Sequence, residues 1–306
     1  MKFKATFAPL ETQRKKSLTG LAKRDLIVVL GCAVFVLANI GAIGSGGRRR
    51  AKEAVCLSNL RKWGVCYQMY TNDNNCYFDT GDLGGTHMDL MWVYCLQPYY
   101  KEGMLRLCPE AVRPFFVPYG GPGSGPGKQP FASFGALWGP TASSRDDWGD
   151  PWHVRFPPSF AYTEADNCLS YGRNDWVRSV HPERRDDPRN LKCWQSPNVQ
   201  GGDNIPLFMD CSYYCADPYD TDEPPAHEAD TFTGSSANEM KRFCVNRHNG
   251  AINVLFLDFS VRKVGLKYLW TLKWHREFDN VNGVWVSRPG YTPPWPNWMG
   301  KLRECD

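Results

Sequence analysis

Several signatures that would mark an enzyme are missing from this chain. No Gly-x-Ser-x-Gly, no phosphate-binding loop and no His-Glu-x-x-His occurs in its 306 residues. A nucleophile elbow, a nucleotide cradle and a zinc-hydrolase helix are therefore not indicated. Acid is scarce at the front, where Glu11 stands alone against Lys2, Lys4, Arg14, Lys15, Lys16, Lys23 and Arg24. Elsewhere a basic excess is lacking. With residues 1–24 set aside, 36 Lys+Arg and 32 Asp+Glu become 29 and 31. The net charge of +4 belongs to the leader, and the electrostatic footprint of nucleic-acid binding is absent. The expectation is no enzyme and no nucleic-acid partner.

Charge is also missing from Leu26 to Gly47, a 22-residue run followed at once by Arg48-Arg49-Arg50. A helix of that length covers roughly 33 Å, enough for a bilayer. Basic residues ahead of the run favour a cytoplasmic N-terminus. The division expected is a basic leader over 1–20, a transmembrane helix over 21–47 and an extracytoplasmic domain over 48–306. That makes a single-pass protein of the cytoplasmic (inner) membrane, with the membrane itself as a partner. An ordinary signal peptide ending at Ala42-Ile43-Gly44 is the alternative.

Cysteine is plentiful, at twelve, with Cys32 inside the apolar run. Outside the cytoplasm several of the other eleven should pair, and Cys56, Cys108, Cys211 and Cys215 are the disulfide candidates. Cys211-x3-Cys215 with His227 has some zinc character, but no second well-spaced pair accompanies it. A local disulfide or buried thiols is the preferred reading, and no metal is expected.

Past the membrane, Cys56, Leu60, Trp63, Tyr67 and Tyr70 recur at three- and four-residue steps, which predicts a helix from Ala51 to about Tyr70. Thr71-Asn72-Asp73-Asn74-Asn75 should stop it. A short helix is expected over 88–103, loop insertions near 110–158 and 212–240, and a surface tail over 283–306. Strands are expected near 159–163, 169–178 and 205–211. Asn249-Gly250 predicts a hairpin between Arg242–Arg247 and Ala251–Leu257. Ile252, Val254 and Phe256 face one side of its second strand, Leu255 and Leu257 the other, so this strand should be central. Val261–Val264 then forms a strand and Leu266–Trp274 a helix. The fold class is α+β.

Together these residues resemble the prepilin-like, type II secretion pseudopilin-like proteins whose C-terminal part carries an H-x9-D-G signature. Gly20-Leu21 resembles their cleavage and methylation site, and Asp25 stands at the position of their assembly acid. Cys56-Leu57-Ser58-Asn59-Leu60 resembles their C-x-x-N-L segment; Cys108-Pro109, Ser170-Tyr171-Gly172 and Asp210-Cys211 resemble later landmarks. His248, Asn249, Gly250 and Asp258 supply the signature, with Phe259 in place of its Gly, so that positive φ is not freely available there. The resemblance implies a pilin-like fold: a long N-terminal helix, its first half membrane-spanning, packed on an antiparallel sheet with long insertions. It implies a structural subunit of a type II secretion or type IV pilus-like envelope assembly, acting through helix packing and surface loops. Its partners would be a prepilin peptidase and other pilin-like subunits or secretion machinery. Pseudopilins that hold calcium in loops direct attention to Asp73, Asp79 and Asp82, but these do not match a twelve-residue calcium loop, and no cofactor is expected.

His248 and Asp258 do not make a catalytic dyad in this reading. Seven residues of strand separate Asp258 from the position opposite His248, roughly 23 Å. Twelve Trp residues could instead stack on sugar rings. The alternative function is therefore a membrane-anchored or secreted binding protein, for polysaccharide, on the same fold.

Overall fold

The computed structural model describes residues 27–35, 45–80, 92–111, 113–114, 116–119, 127–130, 136–137, 170–212, 215–228, 230 and 238–302. The chain divides into two compact units, Met1–Arg48 and Arg49–Asp306.

Among the described residues no helix is long and apolar enough to cross a membrane. The expected transmembrane helix, the signal anchor and the single-pass inner-membrane location are corrected accordingly. The described helical residues 27–35 (α1) are apolar. The next helix, α2 (Ser45–Asp73), opens on Gly46, Gly47 and three arginines, which no bilayer core accommodates cheaply.

α2 follows its apolar stripe. Cys56, Leu60, Trp63 and Tyr67 are buried and Tyr70 is partly buried. The helix ends at Asp73, and Asn75 and Cys76 follow at φ of 56° and 64°. There the Cys76 amide donates back to the Thr71 carbonyl at 2.7 Å. A left-handed pair cannot continue a right-handed helix. The short helix α3 spans Trp92–Cys95, followed by a 3-10 turn over Gln97–Tyr99.

Nine strands are described: β1 (Arg113–Pro114), β2 (Phe116–Tyr119), β3 (Gly127–Pro130), β4 (Ala136–Leu137), β5 (Tyr171–Asn174), β6 (Pro206–Asp210), β7 (Cys215–Ala216), β8 (Ala251–Phe256) and β9 (Val261–Gly265). Strands β1–β4 form two small pairs inside the first insertion. The main sheet has the order β7-β5-β6-β8-β9. Its β5–β6, β6–β8 and β8–β9 pairs are antiparallel, but β7 runs parallel to β5. The expected antiparallel sheet is corrected to a mixed one, and with the spanning helix the pilin-like fold expectation is overturned. The cause lies in the connection. β7 follows β6 in sequence but lies on the far side of β5, and because it runs opposite to β6 its direction matches that of β5. The second insertion is thus not all surface, since Ala216, Asp222, Pro224 and Pro225 are buried.

Asn249 and Gly250 take the expected positive φ values, 57° and 83°, and the His248 amide donates to the Ala251 carbonyl. The turn forms, but the hairpin does not. Residues preceding it make a 3-10 turn (Glu239–Arg242) and irregular backbone, and β8 pairs with β6 and β9 instead. Phe259 adopts φ of 66° despite its side chain, correcting the expectation that positive φ would be avoided there. Its amide bonds to the Phe256 carbonyl and the ring packs on the core, which offset a left-handed cost of about 1–2 kcal/mol.

Each face of β8 meets a separate apolar cluster. Leu255 and Leu257 join α2 residues, Phe208 and Tyr171. Ile252, Val254 and Phe256 join Trp270, Trp274, Phe243 and Met299. Gly64 makes the first contact close: a Cβ there would sit 3.1 Å from Leu255 Cδ1. The expected closing helix is a 3-10 run over Leu266–Thr271, and the tail ends in α4 (Asn297–Gly300), which buries Met299.

Candidate functional site

Four side chains from distant segments converge beside Tyr171. Cys56 comes from the fourth turn of α2, Cys108 from the chain after the 3-10 turn Gly103–Arg106, Asp210 from the last residue of β6, and His248 from the approach to the Asn249-Gly250 turn. One ligating atom from each lies within 4.8 Å of all the others. All four residues are at most 4% exposed.

The contacts are specific. His248 Nε2 lies 3.1 Å from Asp210 Oδ2 and 3.5 Å from Cys108 Sγ. Cys56 Sγ is 3.7 Å from Asp210 Oδ2 and receives the Tyr171 hydroxyl at 3.2 Å. Asp210 also accepts from Arg247 Nη1 at 3.2 Å and from the Asn253 amide at 3.0 Å. Arg247 donates in addition to the Ser170 and Cys211 carbonyls, and the Cys108 amide donates to Ser170 Oγ. The carboxylate is thus held by main chain and guanidinium before His248 or either thiol is counted.

Burial alone would raise Asp210, but the His248 and Arg247 charges hold it well below the usual carboxylate range. Burial alone would lower His248; Asp210 outweighs it and raises the imidazole to about 10. Burial pushes the Cys108 thiol up.

The sequence-derived sites fall out unevenly. Gly20, Leu21 and Asp25 lie outside the described residues, as does Asp82. Among the ten described cysteines none forms a disulfide, which holds for the candidates Cys56, Cys108, Cys211 and Cys215. Cys56 and Cys108 are brought together without an S–S bond, whereas Cys211 and Cys215 pack against different apolar clusters. His248 meets Asp210 rather than Asp258, whose carboxylate accepts from the Ser260 amide at the other end of β8. The acids considered for calcium are dispersed: Asp79 binds Arg173, and Asp73 accepts from the Tyr99 hydroxyl. Sequence spacing missed the joining of Cys56, Cys108, Asp210 and His248. The only available signal was that each belongs to a landmark of the family resembled.

A second titratable group lies at Asp217, on the edge of β7. Burial, followed by the charges of Asp175 and Glu239, pushes its carboxyl up to about 7. The sign follows from linkage. The folded chain binds the proton more tightly than the unfolded one, so stability contributed by protonated Asp217 is lost as pH rises from about 4 to about 7. Asp217→Asn should raise the thermal midpoint at pH 8 by a few degrees, about 1 kcal/mol, and leave it nearly unchanged at pH 4. Thermal melts at the two pH values check this; equal shifts at both would contradict the assignment.

Comparison of the chain with family models, with curated proteins and with solved structures finds no match.

Proposed function

We propose that this chain is a pseudopilin-like structural subunit that associates with further copies or pilin-like partners through its N-terminal helix and surface loops. The observation that supports this reading is α1. Ile27, Val28, Val29, Leu30 and Val34 are 55–67% exposed there. A helix apolar around its circumference is ordinarily covered, since burying one such side chain contributes about 1.5–3 kcal/mol. The equivalent helix of another copy offers matching chemistry. The buried network at Asp210 fits the same reading, because its polar groups are consumed in joining segments of the chain rather than presented to a substrate.

The test uses the full chain. Sedimentation velocity should show concentration-dependent assembly, and Val28→Glu with Val34→Glu should abolish it while leaving the thermal midpoint unchanged. Protein recovered from its own cells should begin at Leu21 by intact mass. A wild-type chain that stays monomeric at all concentrations and keeps Met1 would sink the proposal.

A second reading, a polysaccharide-binding protein, draws on an open cleft of about 530 Å³ whose lining includes Tyr70, Tyr77, Asn74, Ser179 and Gln195. Rings for stacking and neutral hydrogen-bonding groups suit a sugar. Tyr77→Ala should then weaken retention on an immobilised glycan panel; no retention of the wild type on any glycan removes this reading.

A further inference from the structure

We propose that Cys56, Cys108, Asp210 and His248 are the four ligands of a tetrahedral divalent metal site of the zinc type, and that the ion clamps α2 to the main sheet. The proposal is independent of the assembly reading above. It rests first on geometry. With metal distances of about 2.3 Å to sulfur and about 2.0 Å to nitrogen and oxygen, the edges of a tetrahedron are roughly 3.5 Å for S–N, 3.5 Å for S–O and 3.3 Å for N–O. The corresponding separations here are 3.5 Å (Cys108 to His248), 3.7 Å (Cys56 to Asp210) and 3.1 Å (His248 to Asp210). Three of the six edges thus lie close to those a metal would require, and the other three are within 4.8 Å.

The donor set selects the ion. Two sulfurs and an imidazole are borderline-soft ligands, which suit zinc or cobalt and are poor for calcium or magnesium. Charge agrees with that choice. Two thiolates and one carboxylate carry three negative charges, Arg247 returns one positive, and a divalent ion brings the buried group to neutrality. Arg247, held by Ser170 and Cys211, touches Asp210 Oδ1, while the Asn253 amide fixes Oδ2 and the Tyr171 hydroxyl reaches Cys56 Sγ. Outer-shell donors of this kind orient ligands and tune their basicity.

The site is closed. Four protein ligands from α2, the Cys108 segment, β6 and the β8 turn leave no corner for water, and the residues are at most 4% exposed. A catalytic zinc keeps an open position, whereas a structural one does not. The role assigned is therefore to fasten four segments: 154 residues separate Cys56 from Asp210, and 140 separate Cys108 from His248. Because the ligands must be deprotonated, loading releases protons and the affinity falls in acid.

The experiment uses the full chain, purified with reductant and Zn²⁺ and then dialysed exhaustively. One zinc per chain should remain by elemental analysis. A chelator strong enough to strip it should lower the thermal midpoint, with recovery on adding Zn²⁺ back. Cobalt loading should give the intense visible bands of a tetrahedral ion and a thiolate charge-transfer band in the near ultraviolet. Cys108→Ser and His248→Ala should each lose at least tenfold in zinc affinity, while Cys244→Ser, which alters a buried thiol in the other apolar cluster, should keep the full equivalent. Should the ligand variants fail to fold, the wild-type metal content and cobalt spectrum decide alone. Less than a tenth of an equivalent of retained zinc, or a Cys56–Cys108 disulfide in peptide masses taken without reductant, overturns the proposal.

Discussion

Trp63→Ala should destabilise the globular unit by about 3–5 kcal/mol, the range for deleting a large buried aromatic ring. Trp63 is fully buried on the inner face of α2. Its ring lies edge-on to Trp92 at 5.5 Å and to Tyr100 at 4.8 Å, and tilted against Phe208 of β6 at 5.2 Å. Its indole N–H donates to the Leu105 carbonyl at 3.0 Å. Truncation would remove three aromatic contacts, open a cavity at a point where helix, loop and strand meet, and leave the Leu105 carbonyl without that donor. Little relief is available, because Gly64 next to it already lets the backbone approach Leu255 closely. Trp63→Phe keeps most of the ring and should lose mainly the hydrogen bond, about 1 kcal/mol, plus a smaller packing deficit. Urea unfolding followed by far-ultraviolet circular dichroism would measure both. A loss below about 1 kcal/mol for the alanine variant would mean that α2 is not anchored through this ring.

How much of this was readable from the sequence depends on how local the cause is. The α2 stripe was readable because Cys56, Leu60, Trp63 and Tyr67 repeat at the helical period and one face must go inside. The division of β8 was readable for the same reason: Leu255 and Leu257 enter one cluster while Ile252, Val254 and Phe256 enter the other. The Asn249-Gly250 turn was readable from the backbone freedom of the two residues. Its partner strand was not. Nothing in Arg242–Arg247 reveals that β6, some forty residues earlier, competes for the edge of β8 and wins it. The parallel placement of β7 escaped for a similar reason, since two residues carry no periodic signal. Phe259 shows tertiary packing overriding a local backbone preference. The membrane reading rested on an uncharged run, and among the described residues no helix is long and apolar enough to cross a bilayer. The buried cluster is the extreme case. No spacing rule joins Cys56 to an acid 154 residues away, and the paired cysteines that spacing favoured, Cys211 and Cys215, lie elsewhere.

Arg173→Met should cost about 3–5 kcal/mol at neutral pH, because it breaks a buried ion pair from one side only. Arg173 sits on β5 with its side chain 1% exposed, bonded to Asp79 and, at 2.7 Å, to Asp175. Asp79 is equally buried, and Asp175 is 13% exposed and shared with Arg178 at 3.4 Å. Methionine fills much of the volume, so the loss would report charge rather than cavity. Asp175 gives the sign with pH. Burial would raise its carboxyl, but Arg173 and then Arg178 outweigh burial and hold it below the usual range. Its stabilising contribution is therefore present above about pH 4 and is lost as pH falls through the folded value. In the Met variant that contribution is reduced, and the carboxyls left behind protonate more readily, so the deficit relative to wild type should shrink on acidification. A second substitution distinguishes pairing from packing. Asp79→Asn alone should also destabilise, since it leaves the guanidinium buried against a weaker acceptor. The double variant should recover at least about 1 kcal/mol relative to the sum of the two single losses, as residues in one network do. Denaturant melts of the four proteins at pH 7 and pH 4.5 supply the cycle. Strictly additive losses at pH 7 would show that Asp79 and Arg173 stabilise the sheet through their contacts with other groups and not through each other.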